Sequence, residues 1–180
     1  MMSEGESWQR HEVAVLGSGV IVEGDPRWTQ AYQLGRLLAQ EGFAAVTGGY
    51  TGLMEATSRG AHEAGGRVIG LPMRPWTAVQ PNPWITEARW SESLGERVEH
   101  ILLCEAVVVL PGGIGTLSEM AMSWVALHTG KRALIFLGDC WPPVIQAMSE
   151  HLLITEPALA CLSFAASPED VIRQIRRDAQ

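Results

Sequence analysis

Ala106-Val107-Val108-Val109-Leu110-Pro111-Gly112-Gly113-Ile114-Gly115-Thr116-Leu117-Ser118-Glu119 is the stretch on which the reading of this chain turns. Its first five residues are a continuous apolar run, the pattern of a strand covered on both faces. Met120 to His128, just beyond, is apolar-rich and reads as a helix. A strand, a glycine turn and a helix start make a phosphate cradle, because glycines let the backbone approach an anion and the first free N–H groups of a helix point at it. Glu119 sets this turn apart. A carboxylate repels phosphate, so at this place it suits a neighbouring ribose or a water molecule. A local reading competes: Thr116-x-x-Glu119 spells a capping box, in which the glutamate returns to the Thr116 N–H.

Working outward, short apolar runs alternate with helix-like runs. Val13–Leu16, Ala44–Thr47, Val68–Leu71, Ala106–Leu110 and Ala133–Leu137 read as strands. The first helix has Asp25 as N-cap and Pro26 at its first position, and it stops at Gly42. Further helices span Gly52 to Ala64, Ser91 to Leu103, the stretch after Gly115, Pro142 to Leu152, and the segment opened by Pro168. This alternation implies an α/β fold, a Rossmann-like doubly wound, mainly parallel sheet with helices on both faces. Residues 12–180 are expected to form a single nucleotide-binding domain after a flexible N-terminal tail, residues 1–11. The proline-rich stretch Pro72–Pro83 reads as an ordered loop over one end of the sheet. It serves either as a lid or wall for an aromatic ligand, or as a surface crossing or subunit contact.

Three glycine turns end strands: Gly17-Ser18-Gly19, Gly48-Gly49-Tyr50-Thr51-Gly52-Leu53-Met54, and Pro111 to Thr116. All open on the carboxyl edge of the sheet, where such folds bind ligands, and together they imply a nucleotide-sized ligand that carries phosphate. A dinucleotide fails on detail. Gly17-x-Gly19 is followed by Val22 where the third fingerprint glycine belongs, and the second strand ends in Thr47-Gly48-Gly49 rather than an acidic residue. No G-K-[ST] of a P-loop occurs. A mononucleotide fits better, and Tyr50, Trp76 and Trp84 are available to stack on its base.

Composition narrows the chemistry. The 180 residues are 47% apolar with a formal charge of −7, which argues against nucleic acid or a membrane surface as partner. Lysine occurs once, at Lys131 in a turn, against twelve arginines, so a pyridoxal-phosphate Schiff base is not expected, nor any other cofactor. The histidines have no metal-ligand spacing, and no metal is expected. Cys104, Cys140 and Cys161 are widely separated, as suits reduced thiols and a cytoplasmic location. Met1 to His11 shows no apolar core of a secretory signal.

Gly48-Gly49-x-x-Gly52-Leu53-Met54 and Pro111-Gly112-Gly113-x-Gly115-Thr116-x-x-Glu119 together resemble the LONELY GUY (LOG) family, over roughly Val13 to Gly138. The resemblance implies a homodimer and a phosphoribohydrolase that cleaves nucleoside 5′-monophosphates, AMP or cytokinin riboside monophosphates, into free base and ribose 5-phosphate. It implies catalytic roles for Glu119 and Arg97, phosphate binding by Gly112, Gly113, Ile114, Gly115 and Thr116, and nucleotide binding by Ser18, Gly48, Gly49, Gly52 and Met54. Three departures mark a divergent branch: Val98 replaces the lysine of the family's Met-His-Glu-Arg-Lys motif, Leu94-Gly95 replaces its Met-His, and Met122 replaces a second glutamate. In that setting Glu119 stabilises positive charge on the ribose and activates water, while Arg97 keeps the carboxylate ionised. Helical geometry alone places Arg97 at the border of the stripe Leu94, Val98, Ile101, Leu102, where an arginine also commonly covers the core with its stem. The alternative function is a non-catalytic nucleotide or molybdenum-cofactor carrier on the same fold, which would not need the Arg97–Glu119 pair.

Overall fold

The computed structural model describes residues 11–127 and 133–178. The tail before His11, the end of the fourth helix at His128 and the turn around Lys131 lie outside the described residues. Seven strands form one sheet: β1 (Glu12–Leu16), β2 (Ala44–Thr47), β3 (Val68–Gly70), β4 (Glu87–Ala88), β5 (Ala106–Val109), β6 (Ala133–Leu137) and β7 (Leu162–Ala165). Their spatial order is β4-β3-β2-β1-β5-β6-β7, and every neighbouring pair is parallel. The helices are α1 (Pro26–Gln40), α2 (Leu53–Glu63), α3 (Leu94–Leu102), α4 (Ile114–Leu127), α5 (Trp141–His151), α6 (Glu156–Ala160) and α7 (Pro168–Asp178).

The continuous apolar strands are explained by two cores. Val13 and Val15 of β1 face α1, α2 and α7, through Leu34, Leu38, Leu53 and Val171. Ala14 and Leu16 face the other way, into a core with Ile101 of α3, Met120 and Trp124 of α4, and Trp141 of α5. Helix starts follow the sequence signals. Asp25 caps α1 by accepting from the Arg27 N–H at 2.8 Å, with Pro26 at the first position. Ser93 caps α3 by accepting from the Glu96 N–H at 3.1 Å.

Three elements escape the apolar pattern: β4, β7 and α6. Strand β4 is only Glu87–Ala88, and ion pairs add to its backbone bonds with β3. Glu12 of β1, 1% exposed, accepts two hydrogen bonds from the Arg89 guanidinium at 2.9 and 2.8 Å. Glu87 accepts from both Arg67 and Arg89, at 2.6 and 2.7 Å. A buried carboxylate needs such partners to remain charged.

Helices α1 and α2 pack backbone against backbone. A Cβ on Gly35 would collide with the Thr57 carbonyl, and one on Gly60 with the Tyr32 carbonyl. Gly35→Ala or Gly60→Ala is therefore expected to cost about 1–3 kcal/mol in denaturant unfolding. Gly95→Ala, on the exposed first turn of α3 with only Ser93 Oγ at 3.7 Å from the new methyl, is expected to stabilise by roughly 0.5–1 kcal/mol. Equal effects at the two kinds of site would contradict this packing.

Candidate active site

The strand order reverses between β1 and β5, and the crevice outside their carboxyl ends is the cleft, of roughly 1000 Å³. The three glycine turns meet there. The Ser18 N–H donates to the Pro111 carbonyl at 3.0 Å, and the Ser18 carbonyl accepts from the Leu53 N–H at 2.8 Å. Thr51 Oγ1 adds a 2.8 Å bond to the Gly19 carbonyl.

Helix α4 begins at Ile114, where the Leu117 N–H donates to the Gly113 carbonyl at 3.0 Å. The N–H groups of Ile114, Gly115 and Thr116 belong to the first helical turn and have no carbonyl behind them in the helix. Gly113 and Gly115 both border open space, and a Cβ on Gly112 would collide with the Thr116 side chain. The arrangement suits an anion at the helix N-terminus. The capping-box reading of Glu119 is corrected here. Thr116 is the third residue of the helix rather than its cap, and Glu119 lies in the second turn with its carboxylate turned to Arg97.

Arg97 is 4% exposed and Glu119 8% exposed. Arg97 is thus inside the protein and not at a border, because α3 rests this face on α4 while Leu94, on the expected apolar stripe, is exposed. Arg97 Nε lies 2.8 Å from Glu119 Oε1. The contact is one of charge and not a formed hydrogen bond: Nε and Nη1 are buried without hydrogen-bond partners. Arg97 is expected from the sequence to keep the carboxylate ionised, and its charge does favour the ionised form, against the effect of burial. Burial pushes the Glu119 carboxyl above its ordinary value of 4.5, and the opposing pull of Arg97 does not cancel it.

Ser18, Met54, Arg97, Glu119 and residues 112–116 line the cleft. Gly48, Gly49 and Gly52 do not, and their work is spacing. A Cβ on Gly48 would run into the Arg97 guanidinium and, at 2.7 Å, Met54 Sδ. Gly52, at φ +75°, lies against the Ser18–Gly19 backbone, where a Cβ would clash. Gly49, at φ +83°, adopts a conformation that side chains resist. Tyr50 and Trp76 reach the cleft, whereas Trp84 lies over Arg59 and against His62. Sequence reasoning missed Val20, Val22 and Leu94 as cleft residues, along with the Asp25–Arg27 ion pair. Val20 and Val22 stand 86% and 72% exposed beside the glycine turn, and three consecutive apolar residues, Val20-Ile21-Val22, in a loop were the available signal.

Residues 10–158 match the model of the SLOG cluster4 family, and the chain belongs to that family. It is 31% identical over 136 residues to an uncharacterized protein of Archaeoglobus fulgidus, covering 74% of this chain and 82% of that protein. It is 33% identical over 154 residues to the cytokinin riboside 5′-monophosphate phosphoribohydrolase LOG of Oryza sativa subsp. japonica, covering 79% of this chain and 64% of that protein. Among solved structures it resembles the molybdenum cofactor binding protein of Rippkaea orientalis, with a TM-score of 0.77, 26% identity and coverage of 95% and 98%. The divergent LOG-like family and the Rossmann-like fold read from the sequence are what these likenesses show.

The electrostatics make a measurable demand. Glu119 is expected to titrate above 4.5 by NMR, and higher still in Arg97→Met and in Gly48→Ala, where the added methyl takes the guanidinium's place. A folded-state value above the unfolded one stabilises the fold below the unfolded value, and that contribution is lost as pH rises through the folded value. Glu119→Gln should flatten this part of the stability–pH curve. A Glu119 midpoint unmoved in both variants would overturn the assignment of Arg97 as its charge partner.

Proposed function

We propose that the protein hydrolyses the N-glycosidic bond of a nucleoside 5′-monophosphate, AMP or a cytokinin riboside monophosphate, to free base and ribose 5-phosphate. The observation that carries this reading is the buried Arg97–Glu119 pair in the wall of the cleft onto which the N-terminus of α4 opens. The free N–H groups of Ile114, Gly115 and Thr116 hold the 5′-phosphate, and that contact positions the sugar. As the C1′–N bond breaks, the electron pair leaves with the base and positive charge grows on the ribose. Glu119 stabilises that charge and takes a proton from the attacking water, whose oxygen bonds to C1′. Burial that raises the Glu119 pKa makes it a stronger base than a solvated glutamate. The exposed apolar side chains Val20 and Val22 support a base held by apolar contact.

The name of the rice relative supports the substrate class, although the chain spans only 64% of that protein. The similarity to a molybdenum cofactor binding protein favours a second reading, a carrier that binds its ligand without cleaving it. Spare arginine donors would serve either function, but holding a phosphorylated ligand calls for no desolvated carboxylate beside it, and for that reason hydrolysis is preferred. The proposal includes a homodimer. Leu153, fully exposed beside an apolar groove lined by Trp124, Met148 and Ile154, offers it a contact surface, and sedimentation velocity reads the assembly directly.

Incubation with AMP and with isopentenyladenosine monophosphate, followed by chromatography, is expected to yield free base and ribose 5-phosphate. Glu119→Gln is expected to lower kcat by about 100-fold or more, with its fold checked by circular dichroism. The rate should rise with pH as Glu119 ionises, with its midpoint above 4.5. Tight binding of the nucleotides with no base released by the wild type would replace the hydrolase with the carrier.

A further inference from the structure

We propose that Trp76 is a positioning residue, whose indole acts with the Tyr50 ring to clamp the Arg97 guanidinium beside Glu119. The inference rests on the hydrolase reading for its kinetic consequence, but its structural content stands apart from that reading. The Arg97 Cζ lies 5.5 Å from the centre of the Trp76 ring and 6.0 Å from that of Tyr50. The two rings lie 5.8 Å apart, tilted by 35°. Arg97 Nε and Nη1 make no hydrogen bond, so directed bonds from these two donors do not set the side-chain torsions. What surrounds the guanidinium instead is the charge of Glu119, the gap left by Gly48, and two aromatic faces. Cation–π attraction of this kind strengthens where water is excluded.

The loop that carries Trp76 is anchored as such a clamp requires. At one end the Met73 N–H donates to Tyr50 Oη at 2.8 Å, and the Arg74 N–H donates to the Ser91 carbonyl at 3.0 Å. At the other end the buried Asn82 donates its N–H to the Gly49 carbonyl at 2.7 Å and its side-chain amide to the Tyr50 carbonyl at 2.9 Å. Both ends of residues 73–82 are therefore bound to the turn after β2, the turn that presents Tyr50. Anchoring at both ends is what a fixed wall requires. Glu119 is the charged group facing Arg97 from α4. Asp25 and Arg27, also in the cleft, pair with each other at 2.6 Å.

The test compares Trp76→Ala, Trp76→Phe and Trp84→Ala. Trp84 serves as control, because it stacks on Arg59 outside the cleft. In Trp76→Ala, kcat is expected to fall by about tenfold while KM stays within about twofold, and the NMR titration of Glu119 should move upward as Arg97 loosens. Trp76→Phe should restore most of both, and Trp84→Ala should change neither. A raised KM with kcat and the Glu119 titration unchanged would overturn the clamp and make Trp76 a simple wall for the base. Should the wild type release no base, the hydrolase reading falls on that result alone. The Glu119 titration in Trp76→Ala would still decide the clamp, an unmoved midpoint refuting it.

Discussion

The backbone of Ser18 is bonded on both sides, its N–H to Pro111 and its carbonyl to Leu53. These two bonds fasten the turn after β1 to the turn after β5 and to the start of α2. The crevice exists because the connections that follow β1 and β5 run in opposite directions across the sheet, and the Ser18 bonds fasten its floor. Neither bond forms unless backbone meets backbone. That explains Gly17 and Gly52: a Cβ on the first would press on Leu53 and Leu110 at 3.1 and 3.2 Å, and one on the second would strike the Ser18 carbonyl. The turn at residues 111–116, the aromatic wall and α3 are all placed relative to this joint.

Within that frame the Arg97–Glu119 pair is a stability cost kept in place. Taking both charges from water is expensive, and replacing such a pair with packed apolar side chains is often neutral or stabilising. The ion cluster around Glu12 shows what a structural solution looks like in the same protein. There the carboxylate receives two well-directed bonds from Arg89, and Arg89 is bonded to Glu87 as well. Arg97 and Glu119 touch without completing their bonds, and two arginine donors remain unused. Unmet hydrogen-bonding capacity in a cleft is available to a ligand; met capacity on the opposite edge of the sheet is not.

Much of the fold was legible because parallel strands covered on both faces announce themselves as apolar runs. Strands β1, β2, β3, β5 and β6 lie within about a residue of their expected places. Strand β4 was not legible, because Glu87-Ala88 carries no apolar signal and its ion pairs run to Arg67 and, through the adjacent Arg89, to Glu12, both distant in sequence. The cleft lining was legible where a residue's place follows from its own turn, as with Gly112 to Thr116. It was illegible where the role depends on a neighbour across space. Gly48 reads as a ligand contact and is in fact room for Arg97. Trp76 and Trp84 lie eight residues apart, in and just beyond one proline-rich stretch, yet one faces the cleft and the other the flank of α2. The helix boundary had consequences too. With α4 starting at Ile114, Glu119 leaves the capping position and turns to Arg97.

These placements bear on how one fold can serve both hydrolases and carriers. Glycine turns and a helix N-terminus suit a phosphate, and any phosphorylated ligand would satisfy them equally. Uniform binding of this kind holds a substrate without accelerating its reaction. Acceleration needs a group that interacts more strongly with the transition state, and a carboxylate facing a sugar as it gains positive charge is such a group. Desolvation raises both its basicity and the strength of its field, while a nearby arginine limits how far it protonates. The distinction therefore lies not in the motif that is easiest to read, but in whether α3 delivers an arginine to Glu119 and something holds it there. In this chain the residues placed to hold it are Gly48, by its lack of a side chain, and Tyr50 and Trp76, by their faces.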